Sequence, residues 1–117
     1  MTMDSLENLR GSLRNFAKKR DWDQFHSPKN LACALSVEAA ELLEHFTWLS
    51  EAEVQRLTAS KKREIAKEIG DVLLYLIRLS DKLGIDPAKA AAAKLKINAR
   101  KYPVGRAKGS HKKYTEY

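Results

Sequence analysis

Glu38, Glu41 and Glu44 recur at a strict spacing of three within the stretch VEAAELLEHF, residues 37–46. Val37, Leu42, Leu43 and Phe46 lie among them, so the segment reads as a helix with much apolar surface to bury. Glu68 and Asp71, in KEIGDVLLYL, repeat the spacing. Residues i and i+3 are neighbours on a helix surface, so each pair can converge on one point. Two such pairs facing each other would gather at least four carboxylates in one cleft. Their repulsion is expensive there unless cations neutralise it. Hard oxygen donors without His or Cys favour Mg²⁺, with Mn²⁺ as a substitute, over zinc.

The competing reading is a set of solvated surface acids. Glu51, Glu53 and Glu64 fit that description, because their neighbours are polar; the two motif groups sit in apolar sequence instead. A di-iron bundle would need Glu-x-x-His on two helices. Three residues after Glu38, Glu41 and Glu68 stand Glu41, Glu44 and Asp71, never His. His45 reads as a packing or hydrogen-bonding residue.

The elements that must position these acids are helical. The first helix is expected from about Asp4 to Lys19, with Leu6, Leu9, Leu13 and Phe16 at helical spacing. The second opens at Ser27 and Pro28 and is expected to reach about Leu49. Ser50 to Glu53 reads as a capping box starting a short helix. A long helix is expected from about Ser60 to Leu83, ending at Gly84. Asp86 and Pro87 start the last, Ala-rich helix; Pro103 and Gly105 end it, with an irregular tail beyond. No segment shows the alternation of an amphipathic strand. The expectation is an all-α, four-helix-bundle-like domain over residues 1–105 with a basic tail at 106–117. DVLLYLIRL is apolar nearly all round, which one small chain cannot cover, so a dimer or tetramer is expected.

The 117 residues are 44% hydrophobic and 32% charged, the balance of a soluble helical domain rather than a disordered chain. No apolar run reaches the ~18–20 residues that span a bilayer. The start, MTMDSLENLR, lacks a secretory pattern, so a cytoplasmic location is expected. Cys33 is the only cysteine, and a small buried thiol is the expectation. The net charge is +7, with six Lys or Arg against one Glu from Arg100 to Tyr117. That excess suits an anionic partner, nucleic acid or free phosphates, as well as solubility.

An ExxE followed 27 residues later by ExxD resembles the motif of the MazG-like all-α nucleoside triphosphate pyrophosphohydrolases. The blocks RDWDQFHSPKNLACAL, EAAELLEHFTW, EIGDVLLYLIRL, KLKINARKYP and KYTEY resemble its dCTP pyrophosphatase branch, in the same order, from Arg20 onward. The resemblance implies a tight helical bundle in a dimer or tetramer. It implies Mg²⁺ held by Glu38, Glu41, Glu68 and Asp71, and cleavage between the α and β phosphates to give a monophosphate and pyrophosphate. Many MazG-like proteins begin the motif with two adjacent acids, whereas this chain has Val37 at the first. Glu44 is expected beyond the metal ligands, orienting a water. Metal neutralises the triphosphate, orients the leaving group and acidifies a water, and a nearby Glu can take the remaining proton.

Lys94, Asn98 and Lys101 follow one another at spacings of four and three along one helix face. A solvated basic helix end would look the same; the resemblance assigns them, with Tyr102, to triphosphate or sugar binding. Trp22, in a polar loop between Asp21 and Asp23, is hard to explain as core. The family's base pocket is aromatic, so Trp22, Trp48 and Tyr75 are the candidates for stacking, with His26 assisting. The functional expectation is a Mg²⁺-dependent pyrophosphohydrolase of dCTP or modified deoxycytidine triphosphates. The alternatives are the same chemistry on other nucleotides, or a nucleic-acid-binding helical oligomer. A binder has no use for convergent acids that repel a phosphate backbone.

Overall fold

The computed structural model describes residues 5–117, and among them the only regular elements are helices. In order these are α1 (Leu6–Lys19), α2 (Pro28–Glu44), α3 (Glu51–Val54), α4 (Ala59–Lys82), α5 (Pro87–Lys101) and α6 (Val104–Ala107). Short 3₁₀ turns occupy Asp23–Phe25 and Tyr114–Glu116. The expected helix start at Asp4 lies outside the described residues.

Short polar side chains set the starts. Ser5, Ser27, Thr58 and Asp86 each accept a hydrogen bond from the backbone N–H three residues on, at 3.0–3.1 Å. Ser50 and Glu53 form the reciprocal capping box, at 3.1 and 3.2 Å. Two helices stop in the same way. At the end of α1, Trp22 N–H reaches Ala17 O (2.9 Å) and Asp21 N–H reaches Lys18 O (3.1 Å). At the end of α4, Ile85 N–H reaches Ser80 O (2.9 Å) and Gly84 N–H reaches Asp81 O (3.1 Å). Both are Schellman closures. Each needs a left-handed residue, supplied by Gly84 (φ 67°) and, without glycine's freedom, by Asp21 (φ 55°).

Helix α2 ends at Glu44, five residues short of the expected Leu49. Phe46 and Thr47 both donate backbone N–H groups to Leu43 O, and the Thr47 hydroxyl donates to the same carbonyl at 3.0 Å. The chain tightens into a turn there and can then place Ser50 in the extended conformation its cap requires.

The chain groups into two compact units, one ending at Ile85 and the other spanning Asp86–Tyr117. In the first, α4 is the central helix, packed most extensively on α2 and less on α1. Ala17, Leu31, Ile65 and Ile77 are its buried apolar residues, joined by Arg78 and Ser80. Much apolar surface stays uncovered: Val37 and Leu43 on α2, and Ile69, Leu73, Leu76 and Leu83 near one line along α4. Cys33 is exposed, contrary to the expected buried thiol. It lies two residues, about 200°, around α2 from the buried Leu31, so it points away from the core.

In the second unit a short helix, α6, and the 3₁₀ turn at Tyr114–Glu116 follow Pro103, joined by irregular chain. Pro103 (φ −62°) leads into α6, and Gly109 (φ 76°) turns the chain back. The Tyr102 ring then meets those of Tyr114 and Tyr117 edge-on, with centroids 5.9 and 6.0 Å away. Lys101 Nζ sits 4.7 Å over the Tyr114 ring. Among the described residues no helix is long and apolar enough to cross a membrane.

Candidate active site

The acids of α2 and α4 converge. One carboxylate oxygen from each of Glu38, Glu41 and Glu68 lies within 4.8 Å of the other two. Helical geometry accounts for it: Glu38 and Glu41 share one face of α2, and the α2–α4 packing brings Glu68 against them. Glu38 Oε2 and Glu68 Oε2 are shielded from solvent without a hydrogen-bond partner. Burial, reinforced by the hydrogen bond and charge of Glu41 and by the charges of Asp71 and Glu68, pushes the Glu38 carboxyl up to about 7. Buried oxygens without donors, in an all-oxygen set, suit a divalent cation.

Asp71 acts on Glu38 through its charge but is not one of the three clustered acids. It is exposed and stands at the wall of a neighbouring cavity. Glu44, the exposed last residue of α2, is likewise not in the cluster.

The cavity beside Asp71 has a volume of about 240 Å³ and is mostly apolar, with Leu13, Phe16, Trp22, Leu74, Tyr75 and Arg78 around it. Sequence reasoning supplied Trp22 and Tyr75; the structure brings them together. Trp22 is held edge-on to Phe16, centroids 5.6 Å apart, because the α1 closure fixes its backbone. The volume falls below the ~300–1,000 Å³ of pockets for drug-sized ligands, a size for one ring rather than a whole nucleotide. Trp48 does not line it; at 90% exposure it projects from the turn after α2.

His26 lies beside Trp22 and Arg78. Its Nδ1 accepts a hydrogen bond from Arg78 Nε at 3.2 Å, and its ring lies 6.3 Å from that of Trp22. Burial, then the Arg78 charge, lowers its pKa. Arg78 is the residue that sequence reasoning missed. Its signal was present: an arginine inside the apolar run LLYLIRL, seven residues after Asp71 and so on the same helix face.

In the second unit, Lys94 is exposed and Asn98 half-buried, with Asn98 O accepting the Tyr102 N–H at 2.8 Å. Lys101 and Tyr102 belong to the aromatic clasp around Tyr114 and Tyr117.

The model of the MazG-like family matches residues 33–117. The chain belongs to the MazG-like family. It is 40% identical over 114 residues to dCTP pyrophosphatase 1 of Homo sapiens, covering 96% of this chain and 67% of that protein. The Rattus norvegicus protein of the same name matches equally. A solved pyrophosphatase from Archaeoglobus fulgidus DSM 4304 superposes with a TM-score of 0.79 at 44% identity, covering 84% of this chain and 92% of that one.

Proposed function

We propose that the chain is a Mg²⁺-dependent nucleoside triphosphate pyrophosphohydrolase that cleaves dCTP or modified deoxycytidine triphosphates between the α and β phosphates. Products are the monophosphate and pyrophosphate. The convergence of Glu38, Glu41 and Glu68, with two donor-less buried oxygens, carries the reading. The identity to dCTP pyrophosphatase 1 supports the base preference.

Glu38, Glu41 and Glu68 would hold the metal, with Asp71 completing the set from the cavity side. Bound there, Mg²⁺ supplies neutralisation of the triphosphate charge and an acidified water. Glu44 would orient a water from the end of α2, and a motif glutamate would take the proton released as that water attacks the α phosphorus. The pyrophosphate departs with the P–O bond electrons. Trp22 and Tyr75 take the base ring in the apolar cavity, with His26 behind them and Trp48 adding aromatic surface. Lys94, Asn98, Lys101 and Tyr102 bind triphosphate or sugar. A dimer or tetramer that covers the apolar faces of α2 and α4 completes the assembly.

Pyrophosphate release from each common deoxy- and ribonucleoside triphosphate, with Mg²⁺ and with chelator, tests this. Metal-dependent release fastest with dCTP is the expected result. Release fastest from another nucleotide would discard the base assignment and keep the chemistry. No release from any nucleotide by folded protein would overturn the enzyme.

A further inference from the structure

We propose that Arg78 is a positioning residue for substrate binding: its guanidinium ties the Trp22 loop to α4 and thereby sets the width of the ring cavity. The inference rests on the reading of that cavity as the base pocket.

Arg78 is only 5% exposed. A buried guanidinium is expensive unless its N–H groups are paired, and an apolar side chain of similar volume is often as stabilising. Core stability alone therefore gives little reason for an arginine here. What an apolar residue cannot do is hold separate groups at fixed directions. The Arg78 fork does this: Nε donates to His26 Nδ1 at 3.2 Å, Nη2 donates to the Asp23 carboxylate, and Nη1 lies 3.5 Å from Asp81.

Two of those partners, Asp23 and His26, bracket the turn that follows Trp22. On its α1 side that loop is fixed by the backbone closure onto Ala17 and Lys18 and by the Gln24 amide, which donates to Asp21 at 3.0 Å. Arg78 supplies the link from the loop to α4, with Lys82 adding a second cation 3.3 Å from Asp23. Tyr75 and Asp71 lie one and two turns earlier on α4, and Arg78 itself lines the cavity. One side chain thus joins the wall that carries Trp22 to the wall that carries Tyr75. Without the tether, Trp22 keeps its backbone anchor at Ala17 while the turn after it is released, and the slot loses its fixed spacing.

The test uses Asp23→Ala, because Asp23 is half exposed and its loss leaves the core and the Arg78–Asp81 contact in place. Steady-state pyrophosphate release from dCTP with Mg²⁺ is measured for wild type, D23A, D23E and W22A. The same loop substitutions in a W48F background isolate Trp22 fluorescence and its quenching by acrylamide. Expected for D23A is a KM raised roughly two- to tenfold, the scale of one aromatic contact, with kcat little changed. Trp22 becomes more quenchable, and D23E restores part of both. If W22A raises KM while D23A alters neither KM nor quenching, the tether is overturned and the base pocket stands. If W22A leaves KM unchanged, the pocket reading falls and this proposal falls with it.

Discussion

The guanidinium of Arg14 grips both oxygens of Asp81, Nε to Oδ2 at 2.7 Å and Nη2 to Oδ1 at 2.5 Å, fastening α1 to α4 across 67 residues of sequence. Hydrogen bonding to Arg14, with the charges of Arg14, Arg78 and Arg10, holds the Asp81 carboxyl below its ordinary 3.8. A carboxyl with a lowered folded-state pKa stabilises the fold above its unfolded value, and that contribution disappears as pH falls through the folded one. Asp81→Asn should therefore destabilise by about 1.5–3 kcal/mol near neutrality, the range for hydrogen bonds to charged groups. The gap to wild type should close below pH ~3.8. Urea melts at pH 7, 5 and 3 check this; a gap independent of pH would exclude the ion pair as its source.

The crowded acids predict opposite effects with and without metal. In chelator, Glu38→Gln removes one member of a repelling group and should raise the melting temperature at pH 8. The same variant should lose the stabilisation that millimolar Mg²⁺ gives wild type, along with at least ~100-fold of its activity, since even indirect partners of metal ligands are worth 10–100-fold. Thermal melts with EDTA and with Mg²⁺ measure both. A fall in melting temperature without metal would mean that Glu38 is a structural anchor.

Tyr75→Ala should weaken substrate binding by roughly 5- to 100-fold, the range of a lost base–aromatic stacking contact. The side chain is half-buried in the cavity wall, so binding of a non-hydrolysable dCTP analogue should be followed beside stability. Unchanged analogue affinity would remove Tyr75 from the pocket.

Gly84→Ala isolates a backbone effect. Nothing lies within 4 Å of the added Cβ, so the cost is only that of forcing φ 67° on an L residue. That is roughly 1–2 kcal/mol, less what the stiffer unfolded chain returns. A melting temperature lower by about 4 °C is expected from calorimetry.

Local rules carried the sequence reading furthest. Capping at Ser27, Ser50 and Asp86 depends on residues within one turn, and so does the i, i+3 spacing of the acids; these were legible. Trp22 was recognisable from its polar neighbours Asp21 and Asp23. Facts set by which face of a helix meets another were not. Cys33 sits in an apolar stretch, yet its angle on α2 turns it outward. Nor does its spacing announce that Asp71, besides acting on Glu38 through its charge, borders the ring cavity. The links of Arg78 to Asp23 and His26 span 55 and 52 residues, and no local pattern announces such a separation. The turn at Thr47 was missed because a hydroxyl competing for Leu43 O leaves no periodic trace.

The uncovered stripe along α4, with Ile69, Leu73 and Leu76 exposed, reaches beyond assembly. Where a second copy closes such a face, folding and association share one free energy, and the folded fraction follows mass action. Dilution then works as a mild denaturant: melting temperatures rise with protein concentration, and a substitution on this stripe changes the concentration needed for a folded site before it changes any catalytic constant.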